Sequence, residues 1–310
     1  MAQQTNHQKG MSCHSQAILP GSRPYYVNLA DDSYPYCNEK PEPQLLTVES
    51  VEDAVDLLRL LGDTCCEPLL SSDYRQTHPG LYEKLRTVSK MDHSYGPPID
   101  IDRAAVLMKK MPLDLRSLIN SPLALCSDDQ FPPRIDKRLV HKDHEENILI
   151  SEPWLTGWIR YFNVFCETTE LNFDHGSEHV QGMLLLEALR QAGIASAHCQ
   201  GLPLSGKLAL VNYNTNFSNF LTWDYPILCR TYCSFTADET SPDQEACIYI
   251  QVFQYGRLCI DAVLKAFAYI NEERANSKEK RLKKIMARQK ENFELKIKRI
   301  YEPMISEQCE

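Results

Sequence analysis

Residues 182–198, GMLLLEALRQAGIASAH, are dense in strong helix formers and apolar on nearly every side of a helical projection. The pattern predicts a helix that something larger than one neighbour must cover. The following residues supply that cover. Segments 207–220, 225–235, 246–255 and 258–270 are rich in Val, Ile, Tyr, Phe and Cys and predict four strands. Tyr255-Gly256-Arg257 predicts a tight hairpin between the last two. Upstream, residues 147–151 and 158–168 read as two more strands. Two strands, one buried helix and four hairpin-linked strands predict an α+β domain, its antiparallel sheet wrapped around the helix.

The pattern before residue 126 is different. Val51, Val55, Leu58 and Leu61 recur at helical spacing, opened by Ser50 in a capping-box-like S-V-E-D and closed by Gly62. Residues 81–91 predict a second helix. A third opens at Ile99 or Asp100 and stops at Pro112, and residues 115–125 form a short fourth. These predict a small helical subdomain over 44–130. Residues 1–43 are polar, Pro-rich and without period, and predict a disordered or loosely docked arm. CSDDQFPPRIDKR, residues 126–138, has the composition of a linker. The expected boundaries are thus 1–43, 44–130, 138–272 for the wrapped-helix domain, and 273–310 for a basic amphipathic helix and tail.

Composition narrows the function classes. Hydrophobic residues make up 43% and charged residues 24% of the 310 positions, the profile of a globular protein. No apolar run approaches the ~20 residues of a membrane-spanning helix. The first thirty residues hold no apolar core with a basic flank, so the expectation is a cytoplasmic protein without a signal peptide. Twelve cysteines occur without a C-x-x-C pair, and the expectation is no metal and no cofactor. Several, among them Cys229, Cys233, Cys247 and Cys259, lie in apolar strand-like runs and read as small core hydrophobes. Net charge is −9, yet residues 271–301 carry eleven Lys/Arg against five Glu. The acidic remainder argues against nucleic-acid binding. Leu282, Ile285, Met286, Phe293, Ile297 and Ile300 make an approximate stripe on that basic helix, suited to its own domain or a dimer partner, to an acidic surface such as an acyl carrier protein, or less well, without a Trp or second anchor, to a membrane surface.

Polar groups inside the buried helix are few: Glu187, Arg190 and Gln191. At spacings of three and four they share one face. A buried carboxylate needs a partner, and Arg190 is available in cis. Asp174, His175 and His179 precede the helix, which begins at Gly182-Met183. Asp174, His175, His179 and Gly182 through Glu187, with Ala188, Arg190, Gln191 and Ala192, resemble the signature of the A-factor biosynthesis (AfsA-type) hotdog family, close to D-H-P-x-D-H-x-P-G-M-L-L-L-E-A-x-R-Q-A. Leu139-Val140-His141-Lys142 and Glu146-Asn147-Ile148-Leu149-Ile150 resemble the family's first strand. The helix core is also similar to that of hydroxyacyl-ACP dehydratases, another hotdog family. The resemblance covers about 138–272. It departs at Gln181, where the family has Pro, and in lacking a second signature helix within 1–137.

The resemblance implies a hotdog fold and an acyltransferase. Such enzymes move a β-ketoacyl group from an acyl-ACP or acyl-CoA thioester to a hydroxyl of a small phosphorylated acceptor, glycerone phosphate, towards γ-butyrolactone signals or other secondary metabolites. On that reading Glu187, Arg190, His175 and His179 are the candidate catalytic residues. Glu187 would be a base if burial raised its pKa, and Arg190 a phosphate or carboxylate fork. Asp174, Gly182, Met183, Gln191 and His141 are candidate substrate-binding residues, with helix-start amides polarising the thioester carbonyl. A single hotdog unit implies a homodimer through that domain. The alternatives are a 3-hydroxyacyl thioester dehydratase or thioesterase, and a non-catalytic acyl-binding module.

Overall fold

The computed structural model describes residues 25–32, 44–62, 65–90, 98–113, 115–171, 176–238 and 240–306. Its centre is helix α5 (Gly182–Cys199), buried along Ala188, Leu189 and Gln191 to His198. A six-stranded antiparallel sheet wraps it in the order β4-β5-β7-β8-β9-β6. The strands are β4 (Trp154–Thr156), β5 (Ile159–Val164), β6 (Lys207–Phe217), β7 (Ile227–Cys233), β8 (Gln244–Gln254) and β9 (Arg257–Tyr269). This is the α+β hotdog arrangement. Small residues let the sheet approach: a Cβ on Gly193 would lie 3.1 Å from Leu264. The β8–β9 hairpin turns on Tyr255 and Gly256, at φ 54° and 71°, as a two-residue turn with both centres left-handed requires.

Strand β6 follows α5, crosses to the far edge and, among the described residues, pairs only with β9. The register slips between Leu210 and Asn212, and Val211 is left 72% exposed. The expected strand over 147–151 is instead a 3-10 turn, Glu145–Asn147, followed by single bridges Ile150 to Val164 and Arg134 to Ser151. Its backbone is shared between partners: Leu149 N–H donates to Gln191 Oε1 at 2.8 Å, while Ser151 N–H donates to Asn163 O and the carbonyls of Leu149 and Ile150 accept from Phe165 and Ile135. The linker-like stretch is also packed. Ile135 sits in the hotdog core, and Asp129 accepts from the backbone N–H of Leu125 and Cys126.

The N-terminal part differs more. Strands β1 (Tyr25–Leu29), β2 (Gln44–Val48) and β3 (Cys66–Pro68) form a parallel sheet, order β2-β1-β3, crossed by α1 (Val51–Leu61). So the expected arm contributes a strand with Tyr25, Val27 and Leu29 buried, and the expected helical subdomain has a sheet inside it. Strands of three to five residues are too short to show a period, and parallel pairing is non-local. The helices follow the sequence pattern more closely, though the expected fourth over 115–125 is only a 3-10 turn, Leu115–Leu118. Helix α1 starts on the Ser50 hydroxyl, which accepts from Asp53 N–H. Then come α2 (Ser72–Thr77), α3 (Leu81–Lys90) and α4 (Ile101–Lys110), capped by Asp100. The remainder of 1–43 lies largely outside the described residues.

This subdomain covers the outer face of the hotdog sheet. Trp158, Tyr161, Tyr232, Tyr249 and Phe253 share one core with Leu57, Leu60 and Met108. That second cover explains why β5 and β7 are buried at every position. Two polar anchors lock the layers. Tyr232 OH donates to Ile99 O at 2.7 Å and accepts from Ile99 N–H at 2.6 Å. Arg230, 1% exposed, donates to Gln251 Oε1 at 2.7 Å and to the carbonyls of Met108 and Met111 that end α4. Arg230→Met removes a buried charged donor from both carbonyls and from Gln251, and should lower stability by about 3 kcal/mol or more. Urea unfolding checks this; an unchanged midpoint would show that the anchor contributes nothing.

Candidate active site

Two groups of side chains lie along α5. The first is at its N-terminus, where a cavity of about 550 Å³ opens between helix and β6. His179, Gly182 and Leu185 form one wall; Phe217, Phe220 and Leu221 form the other. Val180 N–H donates to Leu221 O at 2.8 Å, and Trp223 Nε1 donates to Ser177 O at 3.0 Å, so the two walls are tied. His179 Nδ1 lies 2.9 Å from Ser177 Oγ, and its ring lies 5.0 Å from that of Phe220. The cap position, Gln181, makes no side-chain capping bond to the first turn of α5. Gly182 therefore presents helix-start backbone to the cavity, where the dipole favours negative charge.

The second group runs down one flank of α5 and binds it to residues 137–149. Glu187 holds four donors. Arg190 Nε and Nη2 lie at 2.7 and 2.8 Å, Lys142 Nζ at 2.9 Å and Gln191 Nε2 at 3.0 Å. Lys142 also pairs with Glu170. Gln191, fully buried, donates to Asn147 O at 2.9 Å and accepts from Leu149 N–H. Two turns on, His198 Nδ1 lies 2.9 Å from Leu202 O, and its Nε2 lies 3.0 Å from His141 Nε2. The carbonyl requires Nδ1–H on His198, so in the neutral pair His141 Nε2–H donates to His198 Nε2. His141 is itself left-handed, φ 55°, at the end of the 3-10 turn Lys137–Val140.

The protonation of Glu187 reverses the expectation. Burial alone would push its carboxyl up. The hydrogen bonds from Arg190, Gln191 and Lys142, with the Arg190 charge, outweigh burial and hold it down at about 2. A carboxylate this stabilised is a poor proton acceptor at neutral pH. Lost hydration, the His198 ring and the Arg190 charge likewise hold His141 down at about 4.

The structure thus brings His179 and Gly182 into one cavity and gathers Glu187, Arg190, Gln191 and His141 elsewhere. Neither Glu187 nor Arg190 lines that cavity. Met183 is 58% exposed beside it. Asp174 and His175 lie outside the described residues. Sequence reasoning missed Lys142, Asn147 and His198 as partners of the helix. The spacing 187, 191, 194, 198 carried a signal for His198, but nothing local pointed to the 142–147 turn. Among the described residues, no three His, Cys, Asp or Glu side chains converge as a metal site, and Cys126, Cys166, Cys229, Cys233, Cys247 and Cys259 are free thiols.

Comparison with known families supports the same part of the chain. Residues 123–269 match the family model of the A-factor biosynthesis hotdog domain. No curated protein matches the chain. Among solved structures, a thioesterase from Haemophilus influenzae is 11% identical, covering 39% of this chain and 78% of its own, with a TM-score of 0.31. A hypothetical thioesterase protein from Streptococcus pneumoniae, solved with coenzyme A, is 13% identical over 36% and 78%, TM-score 0.29. An uncharacterized protein from Pyrococcus horikoshii is 13% identical over 45% and 95%, TM-score 0.31.

Glu187 and His141 both have folded pKa values below their unfolded ones. Each therefore contributes stability above its unfolded value and loses it as pH falls. Stability should drop first between about 6.5 and 4, from His141, and again between about 4.5 and 2, from Glu187. His141→Asn should flatten the first limb. Glu187→Gln should flatten the second and cost about 3 kcal/mol near neutrality. Thermal melting against pH reads both; a Glu187→Gln protein with an unaltered lower limb would contradict the depressed carboxyl.

Proposed function

We propose that the protein is an AfsA-type acyltransferase. It takes an acyl group, of β-ketoacyl type, from a carrier-protein or CoA thioester and esterifies a hydroxyl acceptor such as glycerone phosphate. The observation that carries this reading is the cavity at the start of α5, with an imidazole at one wall and apolar side chains at the other. The acyl chain packs on Leu185, Phe217 and Leu221. His179 donates from Nδ1–H to Ser177 Oγ, leaving Nε2 to accept the acceptor's hydroxyl proton. The alkoxide oxygen adds to the thioester carbonyl. The resulting oxyanion lies against the backbone N–H groups of Gly182 and Met183. Collapse expels the thiolate, which takes the proton back from His179, so ester and free thiol leave together.

In this reading Glu187 and Arg190 are positioning residues. Their ion pair, with Lys142 and Gln191, sets the height of α5 against the 137–149 segment. Strand β6, at the sheet edge with Leu210, Val211 and Phe217 exposed, is the surface we assign to a homodimer. The cavity ends on Phe217, so a partner copy would sit against it. No described helix is long and apolar enough to cross a membrane.

The test is turnover of purified full-length protein with β-ketoacyl and β-hydroxyacyl thioesters, with and without glycerone phosphate, products read by mass spectrometry. Ester and thiol should form in equal amounts and only with the acceptor. His179→Ala should lower kcat by about 10²–10⁴ with an unchanged melting temperature. Free acid without ester would make the protein a thioesterase, and an unsaturated product a dehydratase. Binding without turnover, unaffected by His179→Ala, would reduce it to an acyl-binding module.

A further inference from the structure

Helix α6 (Glu272–Ser306) is the longest element of the chain and has no part in the reading above. Its root is fixed. Ala275 is buried, Lys278 Nζ lies 4.5 Å from the Tyr269 ring centre, and Lys207 Nζ lies 3.8 Å from Glu279. From residue 277 to 301 every position is exposed. Yet the projecting part is not uniformly polar. Leu282, Met286, Gln289, Phe293, Ile297 and Ile300 lie within a sector of about 80° over a length of about 27 Å. Met286 is 65% and Phe293 63% exposed.

The surroundings of the stripe say what covers it. Lys283 and Lys290 border one side; Lys296, then Arg281, Arg288 and Arg299, border the other. Lys283 pairs with Glu279 at 2.8 Å and Lys290 with Glu294 at 3.9 Å, and the face opposite the stripe carries Glu291 among Lys280, Lys284 and Lys298. The body of the protein is acidic, but the stripe begins about 15 Å beyond the last sheet residue, nearly two screening lengths at physiological salt. A second copy of α6 would bring together two helices that each carry ten Lys/Arg against three Glu over residues 277–301. A protein groove grips a stripe between walls and would bury both rows of Lys and Arg. A flat anionic surface engages the stripe and both rows together.

We propose that α6 lies on an anionic lipid surface, its Leu282–Ile300 stripe in the acyl boundary and its Lys and Arg rows among the headgroups. The helix would hold the hotdog domain beside the bilayer without crossing it. The proposal stands whether or not the catalytic reading does.

Full-length protein sedimented with phosphatidylcholine vesicles containing about 30% phosphatidylserine tests it. Binding at roughly 0.15 M salt should fall at least about tenfold at roughly 0.5 M, and as much without phosphatidylserine. Phe293→Glu with Ile297→Glu should weaken it at least about tenfold, and so should Arg281→Glu, Lys296→Glu and Arg299→Glu together. These residues project from the domain, so melting temperature and circular dichroism should be unchanged. Failure to sediment with anionic vesicles, or equal binding to neutral ones, overturns the proposal. So does an oligomer, seen by analytical ultracentrifugation without lipid, that the Phe293→Glu, Ile297→Glu protein no longer forms.

Discussion

Helix α5 has to be buried on almost every side, and the architecture follows from that demand. Its leucines and alanines face the sheet, while one polar flank, Glu187, Gln191 and His198, must also leave bulk water. A lone buried carboxylate is costly, so the flank is stable only with its partners in place. The 137–149 segment supplies them: Lys142 to Glu187, Asn147 O to Gln191, His141 to His198. The turn is irregular because its backbone serves the helix as much as itself. The same arrangement leaves the start of α5 open, and that opening is where the cavity lies.

The outer face of the sheet answers a second constraint. A sheet bent around a helix exposes its convex side, and here that side carries Tyr161, Tyr232, Tyr249 and Phe253. The N-terminal subdomain buries them and inserts its own carbonyls against Arg230. The two parts therefore share one continuous core rather than meeting as separate units. Edge strand β6 is the portion of sheet most open to solvent.

Chemistry divides along α5 in consequence. Near the N-terminus an imidazole and helix-start amides meet a cavity. Further along, the ionised groups neutralise one another. The Glu187 carboxylate, the one acid on the helix, is strongly perturbed, yet the perturbation records four donors rather than readiness to move a proton. A shifted pKa at a buried pair can mark a fastening as readily as a catalyst.

Much of this was legible along the chain. An apolar helix, four long strands after it, the Tyr255-Gly256 turn and the caps at Ser50 and Asp100 all rest on local periodicity, which is a property of neighbours in sequence. The Glu187–Arg190 pair was legible for the same reason, being three residues apart. The parallel sheet through Tyr25–Leu29, the cover over the convex face and the loss of the 147–151 strand were not. Each depends on which distant segment arrives to take a hydrogen bond. The sign of the Glu187 shift was hidden for that reason too: burial and Arg190 could be read from the helix itself, but Lys142 reaches the carboxylate only once the fold has brought a turn forty-five residues away to its side.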